Sequence, residues 1–175
     1  MKRALIIIIY CLAYTTLCIA QRIDLNDAIS VSPTVKMTKL SKNEALSSNT
    51  FYKKSLIRSQ MYHNPDNTYR IDDITVSLNS EKGKIDPNKL LNAKTFYLYL
   101  SKANKKNWAN IEIVNNRNVL IEYFEADDTA FFQFYTVNSS NTVIVAGQVE
   151  FNPGQQVKAR GILDDLIKNV KFIQE

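Results

Sequence analysis

The sequence predicts an α+β fold in which helices cover an antiparallel β-sheet meander, and three observations favour it. Between residues 109 and 151, four strand candidates follow one another, joined by short turns rich in Asn, Asp and Ser. Asp86-Pro87 and Asn152-Pro153 each place a capping side chain before a proline, which is typical of a helix start. The 175 residues are 45% hydrophobic and 22% charged, as expected for one globular domain.

Residues 1–20 have the features of a secretory signal peptide. Two basic residues precede an apolar run from Leu5 to Leu17, and Cys18-Ile19-Ala20 supplies the small residues of a cleavage site. This run is shorter than the roughly 20 apolar residues that a membrane span needs, so we expect no transmembrane anchor. The mature chain, 21–175, then contains no cysteine and no disulfide, and we expect it to be periplasmic or secreted.

The N-terminal part of the mature chain carries weak structural signals. Residues 21–50 are polar, and within them Val31, Val35 and Met37 are spaced for the start of a short strand. The segment from Phe51 to Tyr62 fits either a helix or a strand, because its apolar residues match both periods. The composition of the mature chain, rich in Asn, Lys and Ile, resembles that of exported proteins of Bacteroidetes-type bacteria.

Clearer elements follow a turn predicted at 63–67. The segment 74–78 alternates apolar and polar residues, which predicts a strand with one buried apolar face. A helix should begin at Asp86-Pro87, although the aromatic run at 95–100 also fits a strand. The predicted apolar stripe of this helix comprises Ala93, Phe96, Tyr97, Leu100 and Ala103.

The remaining elements are a meander and a last helix. The strands of the meander are predicted at 110–114, 119–125, 130–137 and 142–151. A C-terminal helix should cover the apolar face of the last strand, with Asn152 as N-cap, Pro153 as first residue and Gln155 completing a capping box. A short strand is predicted at 170–173. The apolar stripe of the last helix comprises Ala159, Ile162, Leu163, Leu166 and Val170.

This order of elements resembles the Mog1/PsbP-like family, which includes DcrB-type bacterial envelope proteins. Two stretches carry the resemblance, the hairpin FFQFYTVNSSNTVIVAGQVEF and the last helix with its following strand, ILDDLIKNVKF. The resemblance implies an antiparallel sheet between helices, an α/β/α sandwich, which serves in such proteins mainly as an accessory or partner-binding module. It carries over no site residue.

Charge is unevenly distributed along the mature chain. Segment 21–118 has 16 basic and 9 acidic residues, whereas segment 119–175 has 4 basic and 8 acidic residues. A basic half of this kind suits nucleic acid, anionic lipid or an acidic protein surface. Because the lysines are dispersed among asparagines, we interpret the basic half as a solvated face and expect no nucleic-acid partner.

The sequence contains no recognisable catalytic, cofactor or metal motif. His63 is the only histidine and lies in a predicted turn, and the mature chain has no cysteine to join it in a nucleophilic or zinc site. The glycines form no phosphate-binding motif. The paired carboxylates fit turns and solvated surface better than an acid/base pair. These pairs are Asp72-Asp73, Asp127-Asp128 and Asp164-Asp165.

One predicted strand carries aromatic residues on both faces. Phe131, Gln133 and Tyr135 alternate with Phe132, Phe134 and Thr136. If a helix covers only one face of the sheet, the other face is an exposed patch for a partner or an apolar ligand. We therefore take the first three residues as the candidate surface.

We expect a single α+β domain at 51–175, preceded by a polar segment at 21–50 of the same domain. The expected function is that of an exported, non-enzymatic accessory or binding module of the bacterial envelope, whose partner is another envelope protein or a small apolar ligand. One alternative is an immunity or inhibitor protein that acts by charge complementarity. Another is a hydrolase that uses the carboxylates of Glu125, Asp127 and Asp128.

Overall fold

The computed structural model describes residues 21–48, 64–102, 104–126 and 128–173. Three features of the sequence lie outside these ranges: the predicted signal peptide at 1–20, the ambiguous segment 51–62, and His63. Within the described ranges no helix is long and apolar enough to cross a membrane.

The described residues form ten strands and three helices. The strands are β1 (Ile23–Asn26), β2 (Ile29–Val31), β3 (Thr38–Lys39), β4 (Thr68–Ile71), β5 (Ile74–Lys82), β6 (Trp108–Val114), β7 (Arg117–Ala126), β8 (Thr129–Val137), β9 (Val143–Phe151) and β10 (Val170–Phe172). The helices are α1 (Lys42–Ser48), α2 (Lys89–Leu100) and α3 (Gln156–Lys168). Single 3-10 turns lie at Pro65–Asn67 and Pro153–Gln155.

Seven strands form one large antiparallel sheet in the order β3-β4-β5-β9-β8-β7-β6. The strands β6 to β9 are neighbours in chain order, so the predicted meander is confirmed. A small sheet in the order β1-β2-β10 joins the first and last described strands of the chain. This arrangement confirms the predicted α+β class.

Both faces of the large sheet are covered at its centre, where β8 and β9 are buried along almost their whole length. One face packs against α3 and the small sheet, and its core contains Ile74, Val76 and Leu78, which are buried as predicted. The opposite face carries a smaller hydrophobic cluster around Tyr97 of α2. The sheet therefore lies between α3 and α2, as in the α/β/α sandwich that the resemblance implied.

Helix α2 departs from its predicted form at its start and in its buried face. It begins at Lys89, after a turn in which the Asp86 carboxylate accepts the Asn88 N–H at 2.9 Å. The predicted stripe is wrong at Phe96, whose side chain is 58% exposed, whereas Tyr97 is buried. The reason is that α2 packs mainly against β6 and β7 through the side of the helix that carries Tyr97. Ala103, at the end of the predicted stripe, lies outside the described residues.

Helix α3 has the predicted apolar face and a different N-terminus. The Asn152 side chain accepts the Gly154 N–H at 3.2 Å, but the helix starts only after a 3-10 turn. The predicted capping box is wrong, because the Gln155 amide donates to both carboxylate oxygens of Asp73 at 2.8 and 2.7 Å. The predicted stripe is wrong at Val170, because the helix ends at Lys168 and Val170 belongs to β10, which confirms the short terminal strand. The buried residues of α3 are Ala159, Ile162, Leu163, Leu166 and Ile167.

The polar N-terminal segment contains more regular structure than its sequence predicts. Val31 ends β2, whereas Val35 is exposed and belongs to no strand. Helix α1 begins with a capping box that was not predicted: the Ser41 N–H donates to the Glu44 carboxylate at 2.9 Å, and the Glu44 N–H donates to the Ser41 hydroxyl at 3.4 Å. The S-x-x-E spacing from Ser41 to Glu44 is the sequence signal from which this capping box could have been predicted.

Candidate interaction surface

The three residues that the sequence predicted as an interaction surface lie in the interior of the protein. Phe131, Gln133 and Tyr135 lie on the face of β8 that is shared with α2, and they are 1%, 3% and 7% exposed. The candidate surface required one open face of the sheet. Because both faces of β8 are buried, these side chains form no exposed patch, and an interaction surface has to be sought elsewhere.

Polar side chains occupy matching positions across the buried face of the sheet on the α2 side. Glu122, Gln133, Gln148 and Ser77 follow one another in register on β7, β8, β9 and β5, and each is at most 3% exposed. The Gln133 amide donates to the Gln148 side-chain oxygen at 2.9 Å. The Ser77 and Thr68 hydroxyls are hydrogen-bonded at 3.2 Å. The hydrogen bonds of this row give buried polar side chains partners within the sheet. The row is closed to solvent.

The structure brings the predicted pair Asp72-Asp73 to the same end of the sheet as Asp128, the described member of a second pair. Asp72, Asp73 and Asp128 line a cavity of about 490 Å³, together with Arg70 and Glu150. The hydrogen bond from Gln155 is the main cause that lowers the pKa of the Asp73 carboxyl. The Lys158 ammonium lies 2.6 Å from the Asp72 carboxylate. These contacts connect the β4–β5 turn to the start of α3.

Of the carboxylates on which the enzyme hypothesis depends, Glu125 is held by two other side chains of the fold. Glu125 accepts hydrogen bonds from the Lys106 ammonium at 2.7 Å and the Tyr123 hydroxyl at 2.9 Å. The bond from Lys106, followed by that from Tyr123, lowers the pKa of the Glu125 carboxyl. Burial, reinforced by Glu125, raises the pKa of Tyr123 to about 12. Asp128 is an exposed turn residue, and Asp127 lies outside the described residues.

The third predicted pair, Asp164-Asp165, stabilises α3. Asp164 accepts a hydrogen bond from Arg160 at 2.9 Å, and Asp165 accepts the Thr34 N–H at 2.7 Å and the Thr34 hydroxyl at 2.8 Å. In the part of the chain that the structure describes, no group of three or more His, Cys, Asp or Glu side chains is arranged to hold a metal ion.

A second, larger cavity of about 750 Å³ lies at the other end of the sheet. It is lined by the turns between β6 and β7 and between β8 and β9, by the start of α2 and by β10. Arg117 donates to the Val170 carbonyl at 3.0 Å, and its guanidinium lies 5.3 Å from the centre of the Phe172 ring. Through these contacts, Arg117 connects β7 of the large sheet to β10 of the small sheet.

The outer side of α2 exposes large apolar side chains. Leu91, Leu98 and Tyr99 are 56%, 40% and 67% exposed. Leu91 and Leu98 are seven residues apart, so they lie on one face of the helix, with Tyr99 beside them, and Lys102 follows in the turn after the helix. The Lys102 ammonium lies 5.1 Å from the centre of the Tyr99 ring. We call Leu91, Leu98, Tyr99 and Lys102 the α2 surface.

The segment that contains the α2 surface is basic. From Pro87 to Ile111 the chain contains no Asp or Glu. Lys106 forms a salt bridge to Glu125, and Lys89 and Lys105 are exposed. An apolar patch in this setting favours an anionic partner. The lysines of the segment are Lys89, Lys94, Lys102, Lys105 and Lys106.

Comparisons with known proteins identify the fold. A solution structure of cyanobacterial PsbP from Synechocystis sp. PCC 6803 aligns with a TM-score of 0.54 and 10% identity, covering 89% of this chain and 95% of that chain. A crystal structure of a protein from Bacteroides thetaiotaomicron aligns with a TM-score of 0.35 and 8% identity, covering 89% and 42%. No protein-family model and no curated protein matches the sequence. The first alignment confirms a PsbP-like fold.

Proposed function

With a PsbP-like fold as the premise, we propose that this protein is an exported, non-enzymatic accessory module of the bacterial envelope that binds its partner through the α2 surface. The observation that carries the proposal is the exposure of Leu91, Leu98 and Tyr99 on one helix. Each Å² of apolar surface left in water costs about 25 cal/mol, and clustered exposure of this kind is typical of interaction sites.

Three further observations support parts of the proposal. The basic and apolar N-terminal residues favour export, as argued from the sequence. The accessory role agrees with what the family resemblance implies. The non-enzymatic role is supported by the carboxylates, since Asp73 and Glu125 are hydrogen-bonded to Gln155 and Lys106 in contacts that connect elements of the fold.

Site-specific photo-crosslinking in native cells tests the proposal. We expect a photo-reactive amino acid at Tyr99 to crosslink the protein to an envelope component. Val157, which is 89% exposed on α3, provides the matched control, because α3 lies on the opposite face of the sheet from α2. Equal crosslinking from both positions, or none from Tyr99, would overturn the assignment of the α2 surface.

A further inference from the structure

We infer that the partner of the α2 surface is an anionic phospholipid bilayer, which α2 contacts with its axis parallel to the membrane plane. This inference rests on the proposed function, because it names the class of partner for the same surface. It depends on three properties of the described residues: the side chains exposed on α2, the charge around them, and the way in which the helix is attached to the sheet.

The exposed side chains suit the boundary between lipid headgroups and acyl chains. Leu91 and Leu98 are aliphatic and lie on the outer side of the helix, while Tyr99 combines an apolar ring with a hydroxyl. Leucine partitions into the acyl region, whereas tyrosine is enriched at the level of the headgroups. A helix of 12 residues is about 18 Å long, so these side chains enter the bilayer surface together.

The charge around the α2 surface selects an anionic membrane. Five lysines and no acidic residue lie between Pro87 and Ile111. In the part of the chain that the structure describes, Lys106 is the only one of them in a salt bridge, that with Glu125. Lys102 lies against the Tyr99 ring, so its ammonium stays at the level of the tyrosine and can reach lipid phosphates.

The attachment of α2 favours a flat partner over a grooved one. A helix that binds in the groove of a protein is enclosed on several sides. Here one side of α2 is attached to the sheet through Tyr97, whose hydroxyl donates to the Tyr123 carbonyl, with Leu90 and Ala93 beside it. Only the outer side is left for a partner, and a bilayer surface contacts a helix on a single side.

Vesicle flotation tests the inference. The chain from Gln21 onward contains every described element and is mixed with vesicles of phosphatidylcholine, with or without about 30% phosphatidylglycerol. We expect at least about tenfold stronger binding to the anionic vesicles, and loss of most of this preference at about 0.5 M salt. Equal binding to the two kinds of vesicle would overturn the inference.

Two sets of variants locate the binding to α2. We expect L91S/Y99S to weaken binding to anionic vesicles about tenfold, and K102E/K105E to reduce the preference for anionic lipid by a similar factor. V157S is the matched control and should bind as the parent chain does. All variants begin at Gln21, as the parent chain does. Circular dichroism establishes that each variant is folded. Unchanged binding of L91S/Y99S would overturn the assignment to α2.

The crosslinking and flotation experiments together separate the two proposals. If Tyr99 crosslinks to an envelope protein and the purified chain does not bind anionic vesicles, the lipid inference is overturned and the proposed function stands. If Tyr99 crosslinks to nothing and the vesicles are not bound, both proposals are overturned. Vesicle binding that L91S/Y99S weakens and V157S does not supports both.

Discussion

Gln133 and Gln148 show how single residues adapt to a sheet that is buried on both faces. Their side chains lie in register on β8 and β9, each 3% exposed, and one amide donates to the other at 2.9 Å. A buried hydrogen bond contributes modestly to stability, but a buried polar atom that has lost its partner costs much more. The pair is therefore sensitive to the replacement of one member alone.

We predict that Gln133→Leu lowers the free energy of unfolding by about 1 to 3 kcal/mol, because the Gln148 oxygen loses its donor. The double variant Gln133→Leu/Gln148→Leu should lose less than the sum of the two single variants, since neither partner is left behind. Urea denaturation followed by circular dichroism measures all three. Gln156→Leu, at an exposed position, is the control and should change stability by less than about 0.5 kcal/mol. Additive losses in the double variant would contradict this account.

At the scale of elements, close packing of β8 against β9 depends on a glycine. Gly147 lies opposite Phe134 in the register of these strands, and the Phe134 ring is fully buried. A Cβ atom at Gly147 would lie 2.1 Å from Cε1 of that ring. Gly161 in α3 provides a contrast, because a Cβ atom there would meet nothing within 4 Å. The same substitution therefore has opposite consequences in the two elements.

We predict that Gly147→Ala lowers the free energy of unfolding by about 1 to 3 kcal/mol, because the buried Phe134 ring must move. Gly161→Ala should raise it by about 1 kcal/mol, because alanine has the higher helix propensity and the position is open. Urea denaturation of both variants checks the prediction. A neutral Gly147→Ala would show that the ring has room to move, and would contradict the packing described for β8 and β9.

The helices α2 and α3 differ in how far their sequences determine their buried faces. The apolar residues of α3 form one stripe, and from Ala159 to Leu166 this stripe is buried as predicted. In α2 apolar residues surround the helix, so periodicity does not distinguish Phe96, which is exposed, from Tyr97, which is buried. Contact with β6, at the edge of the sheet, and with its neighbour β7 makes that distinction.

At the scale of the whole molecule, one hydrophobic core joins the two sheets. Val31 of β2 and Val170 of β10 belong to the same buried cluster as the central strands of the large sheet, and Trp108 of β6 packs against that cluster. Val31 and Val170 are also paired in register in the small sheet. A substitution that weakens packing at one end of the core is therefore expected to lower the stability of the other end as well.

We predict that Val31→Ala lowers the free energy of unfolding by about 2 kcal/mol and shifts two unfolding transitions equally. These are the transition in Trp108 fluorescence, which reports on the large sheet, and that in far-ultraviolet circular dichroism. Val35→Ala is the control, since Val35 is 38% exposed, and it should leave both midpoints almost unchanged. A shift in circular dichroism without a shift in Trp108 fluorescence would show that the sheets unfold separately.

The sequence alone determined the α+β class and the order of elements from β5 onward. Alternating apolar residues predicted β5 and the four strands of the meander, and the Asn152-Pro153 pair placed the start of the last helical segment to within a turn. These features are predictable because alternation and capping depend on residues close together in the chain. Capping by Ser41 and Glu44 was predictable for the same reason, from the S-x-x-E spacing that precedes α1.

Only the tertiary structure decided which faces of β8 and α2 meet solvent. Periodicity shows that Phe131, Gln133 and Tyr135 share one side of a strand, but it does not show what covers that side, and in the structure they are buried. The same limit applies to Leu91 and Tyr99, which are exposed because α2 packs on the sheet through its opposite side. Burial depends on contacts between residues that are distant in the chain, and a local pattern contains no information about those contacts.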